Sequence, residues 1–128
     1  MQQEKNVILC VDDDQDVLEF LRVVLEGAGY QVHLAANAEQ GVKVFKETRP
    51  DLIIVDLMME EVDSGTSFVT ELKANGNQAP IYLLSSAGRE LSMMTDASDL
   101  GLAGVFQKPL DPERLLKIVN QRLRGSEH

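Results

Sequence analysis

Five short runs of apolar residues, separated by longer amphipathic segments, constrain how this 128-residue chain can fold. The runs are VILCV (7–11), VHL (32–34), LIIV (52–55), IYLL (81–84) and GVFQ (104–107). Strands that are almost wholly apolar, rather than alternating with polar residues, are typical of sheets covered on both faces. Such sheets are parallel, and each pair of successive strands needs a crossover segment between them.

The segments between the runs have the helical periodicity that these crossovers require. Apolar residues recur at helical spacing in 17–28, 37–48, 65–74, 89–100 and 112–124. Asn37 with Gln40 resembles a capping box, and Asp111 followed by Pro112 is typical of a helix start. The sequence therefore predicts a (βα)5 fold, a doubly wound parallel five-stranded sheet of the flavodoxin-like α/β class. The chain is too short for the eight units of a barrel.

Length and charge predict a single acidic domain. We expect one domain over residues 1–128, with a core of about 6–124 and frayed ends. The net charge of −9 disfavours direct binding to nucleic acid or to anionic membranes. No apolar run is long enough to span a membrane and no signal peptide is evident. The single cysteine, Cys10, lies within an apolar run, which predicts a buried thiol in a reducing, cytoplasmic protein.

Polar residues follow four of the five predicted strands, where ligands bind in sheets of this class. They are Asp12, Asp13 and Asp14 after the first run, Asp56 after the third, Ser85 and Ser86 after the fourth, and Lys108 with Pro109 after the fifth. If the fold is correct, carboxylates, a hydroxyl and an ammonium converge at one edge of the sheet.

These side chains suit only a few ligands and reactions. Clustered carboxylates without histidine or cysteine suit a hard divalent cation such as Mg²⁺. Lys108 would attract phosphate oxygens, and a carboxylate can attack phosphorus to give an acyl phosphate. Asp56, alone at the end of the central run, fits that nucleophilic role best. Asp14 is more simply interpreted as the N-cap of the first helix than as a metal ligand.

Four motifs, VILCVDDD, PDLIIVDLMM, APIYLLSS and VFQKPL, resemble in order and spacing those of the response-regulator receiver domain (CheY-like, two-component signalling). The resemblance covers about residues 6–123. It implies that Asp56 accepts a phosphoryl group from a histidine kinase or a histidine phosphotransfer protein. It further implies that Asp12, Asp13, Asp56 and the backbone carbonyl of Met58 bind Mg²⁺. Ser85 and Lys108 would contact the phosphoryl group, and the Lys108–Pro109 peptide bond would be cis.

The same resemblance implies a signalling domain rather than an enzyme, with at most slow self-dephosphorylation. Phosphorylation would switch a surface formed by the predicted helices 89–100 and 112–124 and the fifth strand. A downstream protein or output domain would bind there, and a phosphorylation-dependent homodimer is compatible with it. A haloacid-dehalogenase-like phosphatase is disfavoured, because it would need an aspartate at position 58, where this chain has methionine.

Three departures from the family pattern leave an alternative open. Glu60 replaces the usual proline, and Gly65 lies one position later than the usual glycine. Val105 occupies the position of the aromatic switch residue, and Phe106 follows it on the opposite face of the strand. These differences are compatible with a degenerate receiver that acts as an unphosphorylated protein-interaction module.

Overall fold

A parallel five-stranded sheet forms the centre of the molecule, which we describe from a computed structural model covering residues 6–56, 64–85 and 103–124. The strands are β1 (Val7–Val11), β2 (Gln31–Ala35), β3 (Leu52–Asp56), β4 (Ile81–Ser85) and β5 (Gly104–Gln107). Their order in the sheet is β2-β1-β3-β4-β5, and all pairs are parallel. The predicted fold class is confirmed, and each predicted strand is found within one residue of its predicted bounds.

Four helices are described: α1 (Gln15–Gly27), α2 (Ala38–Thr48), α3 (Ser64–Ala74) and α4 (Pro112–Arg124). They confirm four of the predicted helices, whereas the predicted helix 89–100 lies outside the described residues. Half of the predicted capping box of α2 is present, because Asn37 Oδ1 accepts the Gln40 N–H at 2.9 Å. The Gln40 side chain bonds the N–H of Ala36 rather than that of Asn37. Asp111 Oδ1 accepts the N–H of Glu113 at the start of α4.

Each face of the sheet carries its own apolar cluster, and the two clusters alternate along the strands. One cluster joins the sheet to α2 and α3, and we call this side the α2–α3 layer; its strand members include Leu9, Val11, Ile53, Val55 and Leu83. The other joins it to α1 and α4, the α1–α4 layer, with Ile8, Cys10, Ile54, Tyr82, Leu84 and Phe106. Burial on both faces explains why the central strands are nearly continuous apolar runs.

Cys10 lies in the core, as predicted. Its side chain is fully buried and makes no disulfide. Burial, with the nearby charge of Asp12 adding to it, raises the pKa of the Cys10 thiol far above its usual value. A thiol held protonated in this way is chemically inert.

Gly41 allows α2 to lie close to α3. A Cβ atom at this position would meet the ring of Phe68 at 2.7 Å, closer than carbon atoms can approach. Phe68 is itself buried in the core of the α2–α3 layer, so its ring has little room to move aside. The close packing of α2 against α3 therefore depends on the absence of a side chain at Gly41.

The strand order fixes where a ligand site can form. The chain moves outward from β1 to β2 and then crosses back to β3 on the other side of β1. The carboxyl ends of β1 and β3 are therefore neighbours at the point where the strand order reverses, which is the usual ligand position in open α/β sheets.

Asp14 caps α1, as its sequence position predicts, and its loss should lower stability. Its Oδ1 atom accepts the N–H of Asp16 at 2.9 Å. We expect Asp14→Ala to lower the free energy of unfolding in urea by about 1 kcal/mol.

Asp14→Asn is the matched control for this prediction. Asparagine keeps an acceptor oxygen and is an equally good N-cap residue, so its stability should stay within a few tenths of a kcal/mol of the parent. An equal loss in both variants would contradict the capping role.

Candidate functional site

Two buried aspartates stand side by side at the carboxyl edge of the sheet. Asp12 follows β1, and its backbone N–H donates to the carbonyl of Ala35, which extends the β1–β2 pairing by one bond. Asp56 is the last residue of β3. Asp12 is fully buried and Asp56 is 4% exposed; within the described ranges they are the only charged residues in the core. Buried carboxylates are costly unless they are paired, so their partners decide what the site can do.

One oxygen of Asp12 has a hydrogen-bond donor and the other does not. Oδ1 accepts the backbone N–H of Asp14 at 2.9 Å. Oδ2 is buried without a hydrogen bond. The ammonium of Lys108 lies 3.3 Å from this oxygen, within ion-pair distance, but the geometry is not that of a hydrogen bond. A buried carboxylate oxygen in this state has coordination capacity left for a cation.

Lys108 lies between the two buried carboxylates. It directly follows β5, and its Nζ atom is 3.3 Å from Oδ2 of Asp12 and 3.5 Å from Oδ2 of Asp56. The peptide bond from Lys108 to Pro109 is cis, as the family resemblance implied. The ammonium therefore faces the same space as both carboxylates.

The pKa values of Asp12 and Lys108 are both raised, but for different reasons. Burial raises the pKa of Asp12 to about 6, and repulsion from Asp56 adds to the rise, whereas the Asp14 N–H and Lys108 oppose it. Burial acts against the charge on Lys108, but attraction to Asp12 and Asp56 outweighs it and raises the pKa of the ammonium. In the described part of the chain, one ammonium thus faces a group of three carboxylates, so positive charge is in deficit there.

A third carboxylate completes the acidic group. Oxygen atoms of Asp12, Asp13 and Asp56 all lie within 4.8 Å of one another, and Asp13 is exposed to solvent. The group contains only oxygen ligands, which suits Mg²⁺ rather than zinc. The unsatisfied Oδ2 of Asp12 and the excess negative charge are what a hard divalent cation would correct. These residues therefore fit the predicted metal.

The structure describes the other predicted site residues only in part. Ser85 ends β4, the strand beside β3, and is in register with Gln107 of β5, so its backbone lies at the same edge as Asp56. The side chain of Ser85 lies outside the described residues, as do Met58 and Glu60. Gly65 lies in the first turn of α3.

Val105 and Phe106 face opposite layers, as predicted. Val105 is partly buried against the α2–α3 layer, whereas Phe106 is buried in the α1–α4 layer. The ring of Phe106 stacks on Tyr82 with centroids 5.2 Å apart, and Tyr82 in turn contacts Arg122 of α4. The sequence reasoning missed Tyr82 and Arg122. The one sequence signal for Tyr82 is Gly104, a residue without a side chain that leaves space for an aromatic ring on the neighbouring strand.

No described helix is long and apolar enough to cross a membrane.

Comparisons with known proteins agree with this fold. A family model described as "Response regulator receiver domain" matches residues 8–120. The chemotaxis protein CheY of Bacillus subtilis is 34% identical over 117 residues, which are 91% of this chain and 96% of that protein. The solved structure of Vibrio cholerae chemotaxis protein CheY4, at 28% identity, has a TM-score of 0.86 and covers 94% of this chain and 100% of that chain.

Some relatives are longer. The alkaline phosphatase synthesis transcriptional regulatory protein PhoP of Bacillus subtilis is 31% identical over 120 residues, which are 94% of this chain but 49% of PhoP. The probable transcriptional regulator ycf27 of Pyropia yezoensis is 30% identical over 127 residues, 99% of this chain and 51% of that protein. The chain thus spans about half the length of these two relatives and nearly all of CheY. It belongs to the receiver-domain family of two-component response regulators.

Proposed function

We propose that this chain is a Mg²⁺-dependent phosphoacceptor domain, with its core at about residues 6–124, and that Asp56 takes a phosphoryl group from a histidine kinase or a histidine phosphotransfer protein. The observation that supports this most strongly is the position of Asp56. Its carboxylate is buried at a strand end, 3.5 Å from the Lys108 ammonium and within 4.8 Å of two further carboxylates. Buried carboxylates this close together are costly unless a cation compensates their charge.

The proposed transfer needs only a nucleophile and compensation of charge. A carboxylate oxygen of Asp56 bonds to phosphorus while the phosphorus–nitrogen bond of the donor phosphohistidine breaks, and the imidazole leaves with the electron pair. Lys108 faces the same space as Asp56, so its ammonium is placed to attract the oxygens of the transferred group. The Ser85 hydroxyl would donate a further hydrogen bond, as the family resemblance implies.

Mg²⁺ would be held by Asp12, Asp13, Asp56 and the backbone carbonyl of Met58. When bound, the ion supplies positive charge that offsets the transferring phosphoryl group. The protein's contribution is to hold several carboxylates close together despite their repulsion. The unsatisfied Oδ2 of Asp12 supports this assignment.

The phosphorylated domain would act as a switch in the cytoplasm rather than as an enzyme. We infer that a downstream protein or an output domain, or a second copy of the chain, reads the surface formed by segment 89–100, β5 and α4. Val105 favours a second candidate, an unphosphorylated interaction module, because the chain lacks an aromatic side chain at the position through which the family couples phosphorylation to this surface.

Phosphorylation can be tested directly with a small phosphoryl donor. Incubation with acetyl phosphate and Mg²⁺ should add one phosphoryl group to the intact mass of the protein, with acetate as the leaving group. Asp56→Asn should abolish the gain, because the amide is not a competent nucleophile.

Asp51→Asn is the control for this experiment. Asp51 is an exposed aspartate at the other end of β3, where it accepts the Val7 N–H, so its variant should be phosphorylated normally. No mass gain with acetyl phosphate, nor with a cognate histidine kinase, would refute the phosphoacceptor role and leave the interaction module.

Asp12 should destabilise the metal-free protein near neutral pH. Its pKa is raised to about 6 in the folded state from an ordinary value near 3.8, so the folded state binds more protons than the unfolded chain between these values. In EDTA, the free energy of unfolding of the parent relative to Asp12→Asn should fall as the pH rises from about 4 to above 6. Two pKa units correspond to at most about 3 kcal/mol.

Urea unfolding of the parent and of Asp12→Asn at several pH values measures this difference in the free energy of unfolding. The same measurement with added Mg²⁺ tests the metal site. Mg²⁺ should stabilise the parent at neutral pH but should not stabilise Asp13→Ala, which loses a ligand and should also lose phosphorylation. If Asp12→Asn is less stable than the parent in EDTA at pH 7.5, or if Asp13→Ala responds normally to Mg²⁺, the proposed metal site is wrong.

The acyl phosphate should be lost slowly. In the family, the residues two positions after the phosphoacceptor and two after the switch hydroxyl help govern attack by water; here they are Met58 and Ala87, neither of which can orient a water molecule. Both lie outside the described residues, so this expectation rests on the sequence. A lifetime of seconds in Mg²⁺ without a phosphatase would contradict it, and Met58→Asn should shorten the lifetime.

A further inference from the structure

A chain of side-chain contacts in the α1–α4 layer leads from the end of β5 to the last turn of α4. We propose that Phe106, Tyr82 and Arg122 couple the acidic site to this turn, so that phosphorylation loosens the C-terminal end of α4. The inference rests on the proposed phosphorylation of Asp56. It identifies the element that responds to that modification.

The first contact is between two aromatic rings on neighbouring strands. Tyr82 is in register with Gly104, and Phe106 lies two residues further along β5 on the same face. The rings are 5.2 Å apart between centroids with an interplanar angle of 28°. A Cβ atom at Gly104 would lie 3.1 Å from the Tyr82 ring, so the missing side chain there lets the ring lie over β5. Both rings are 5% exposed and move little independently of each other.

The second contact joins Tyr82 to the surface of α4. The Tyr82 hydroxyl accepts a hydrogen bond from Nε of Arg122 at 3.2 Å, and the guanidinium lies 6.0 Å from the centre of the same ring. Arg122 is itself exposed, two residues before the end of α4. A buried tyrosine thus anchors the last turn of this helix.

The acidic site acts on the other end of this chain through Lys108. Lys108 comes two residues after Phe106, and its ammonium is held by Asp12 and Asp56. A phosphoryl group on Asp56 would place new anionic oxygens beyond the present carboxylate, and we expect the ammonium to follow them. The end of β5 then shifts with Lys108, and the stacked rings shift with β5.

The Tyr82–Arg122 bond is sensitive to a small shift. At 3.2 Å it already lies at the long end of the normal range for such bonds, so a further few tenths of an ångström weaken it. On the other face of β5, Val105 offers only a small aliphatic side chain. Within the described residues, the aromatic path from β5 therefore leads to α4.

Tyr30 provides a matched control, because it anchors the same turn of α4 from elsewhere. Its hydroxyl donates to Oδ1 of Asn120, a contact between the segment before β2 and α4. Tyr30 lies at the amino end of β2, at the opposite edge of the sheet from Asp56. Loss of its hydroxyl should loosen α4 without affecting the response to phosphorylation.

Hydrogen exchange of the peptide 112–124 with Mg²⁺, before and after acetyl phosphate, tests the coupling, with intact mass recorded on the same samples. In the parent, phosphorylation should speed exchange of the last turn by at least about fivefold, the lower end of typical coupling between two sites. Tyr82→Phe keeps the ring but removes the acceptor, so exchange should be fast in both states. Arg122→Gln should also exchange fast in both states. Tyr30→Phe should exchange faster than the parent before phosphorylation, and phosphorylation should still speed its exchange as much as in the parent.

The mass readout separates the two ways this inference can fail. A protein that gains no phosphoryl group contradicts the proposed function and the inference together. A phosphorylated parent whose α4 exchange is unchanged overturns the inference alone. A normal increment in Tyr82→Phe also overturns it, since the contact would then be a static anchor.

Discussion

The arrangement of the site depends on an unequal charge balance inside the sheet edge. Asp12 and Asp56 are both buried there, and the Lys108 ammonium lies within 3.5 Å of an oxygen of each. Among the described residues, one ammonium faces these two carboxylates, and Asp13 adds a third nearby. Burial, with the charge of Asp56 adding to it, raises the pKa of Asp12 to about 6, and one oxygen of Asp12 is buried without a hydrogen bond. A divalent cation would relieve this excess, and its positive charge would then offset the further negative charge of a phosphoryl group on Asp56.

The fold tolerates the energetic cost of these buried carboxylates because it confines them to the ends of the strands. The apolar strands stabilise the sheet on both faces, so the charged residues can be confined to the strand ends. Asp12 remains in position because its backbone is paired with Ala35 and its Oδ1 with Asp14. Asp14 in turn caps α1 through the N–H of Asp16. Of three consecutive aspartates, Asp12 is therefore buried, Asp13 is exposed beside the buried carboxylates, and Asp14 caps the helix.

Much of this could be predicted from the sequence, because it depends on local pattern. The strands follow from apolar runs, the helix starts from Asn37, Asp14 and Asp111, and the convergence of Asp12, Asp56 and Lys108 from the parallel topology. The position of Val105 and Phe106 on opposite faces followed from the two-residue period of a strand.

What could not be predicted depends on contacts between distant segments. The role of Gly41 appears only when α2 is placed against Phe68 of α3. In the sequence, Tyr82 cannot be distinguished from other core residues. Its role depends on its register with Gly104 and on its hydrogen bond to Arg122, 40 residues away. No periodicity encodes such pairings, which is why a side-chain path through the α1–α4 layer could only be found in three dimensions.

The central claim is that the excess negative charge around Asp12 forms a cation site, and the backbone amide of Asp14 is the most direct reporter of it. This N–H donates to Oδ1 of Asp12, so a cation on that carboxylate should shift its NMR resonance. In a Mg²⁺ titration followed by ¹⁵N–¹H spectra, we predict a saturable shift of Asp14 in the parent and none in Asp12→Asn. A parent resonance that does not respond, or an equal response in Asp12→Asn, would contradict the account.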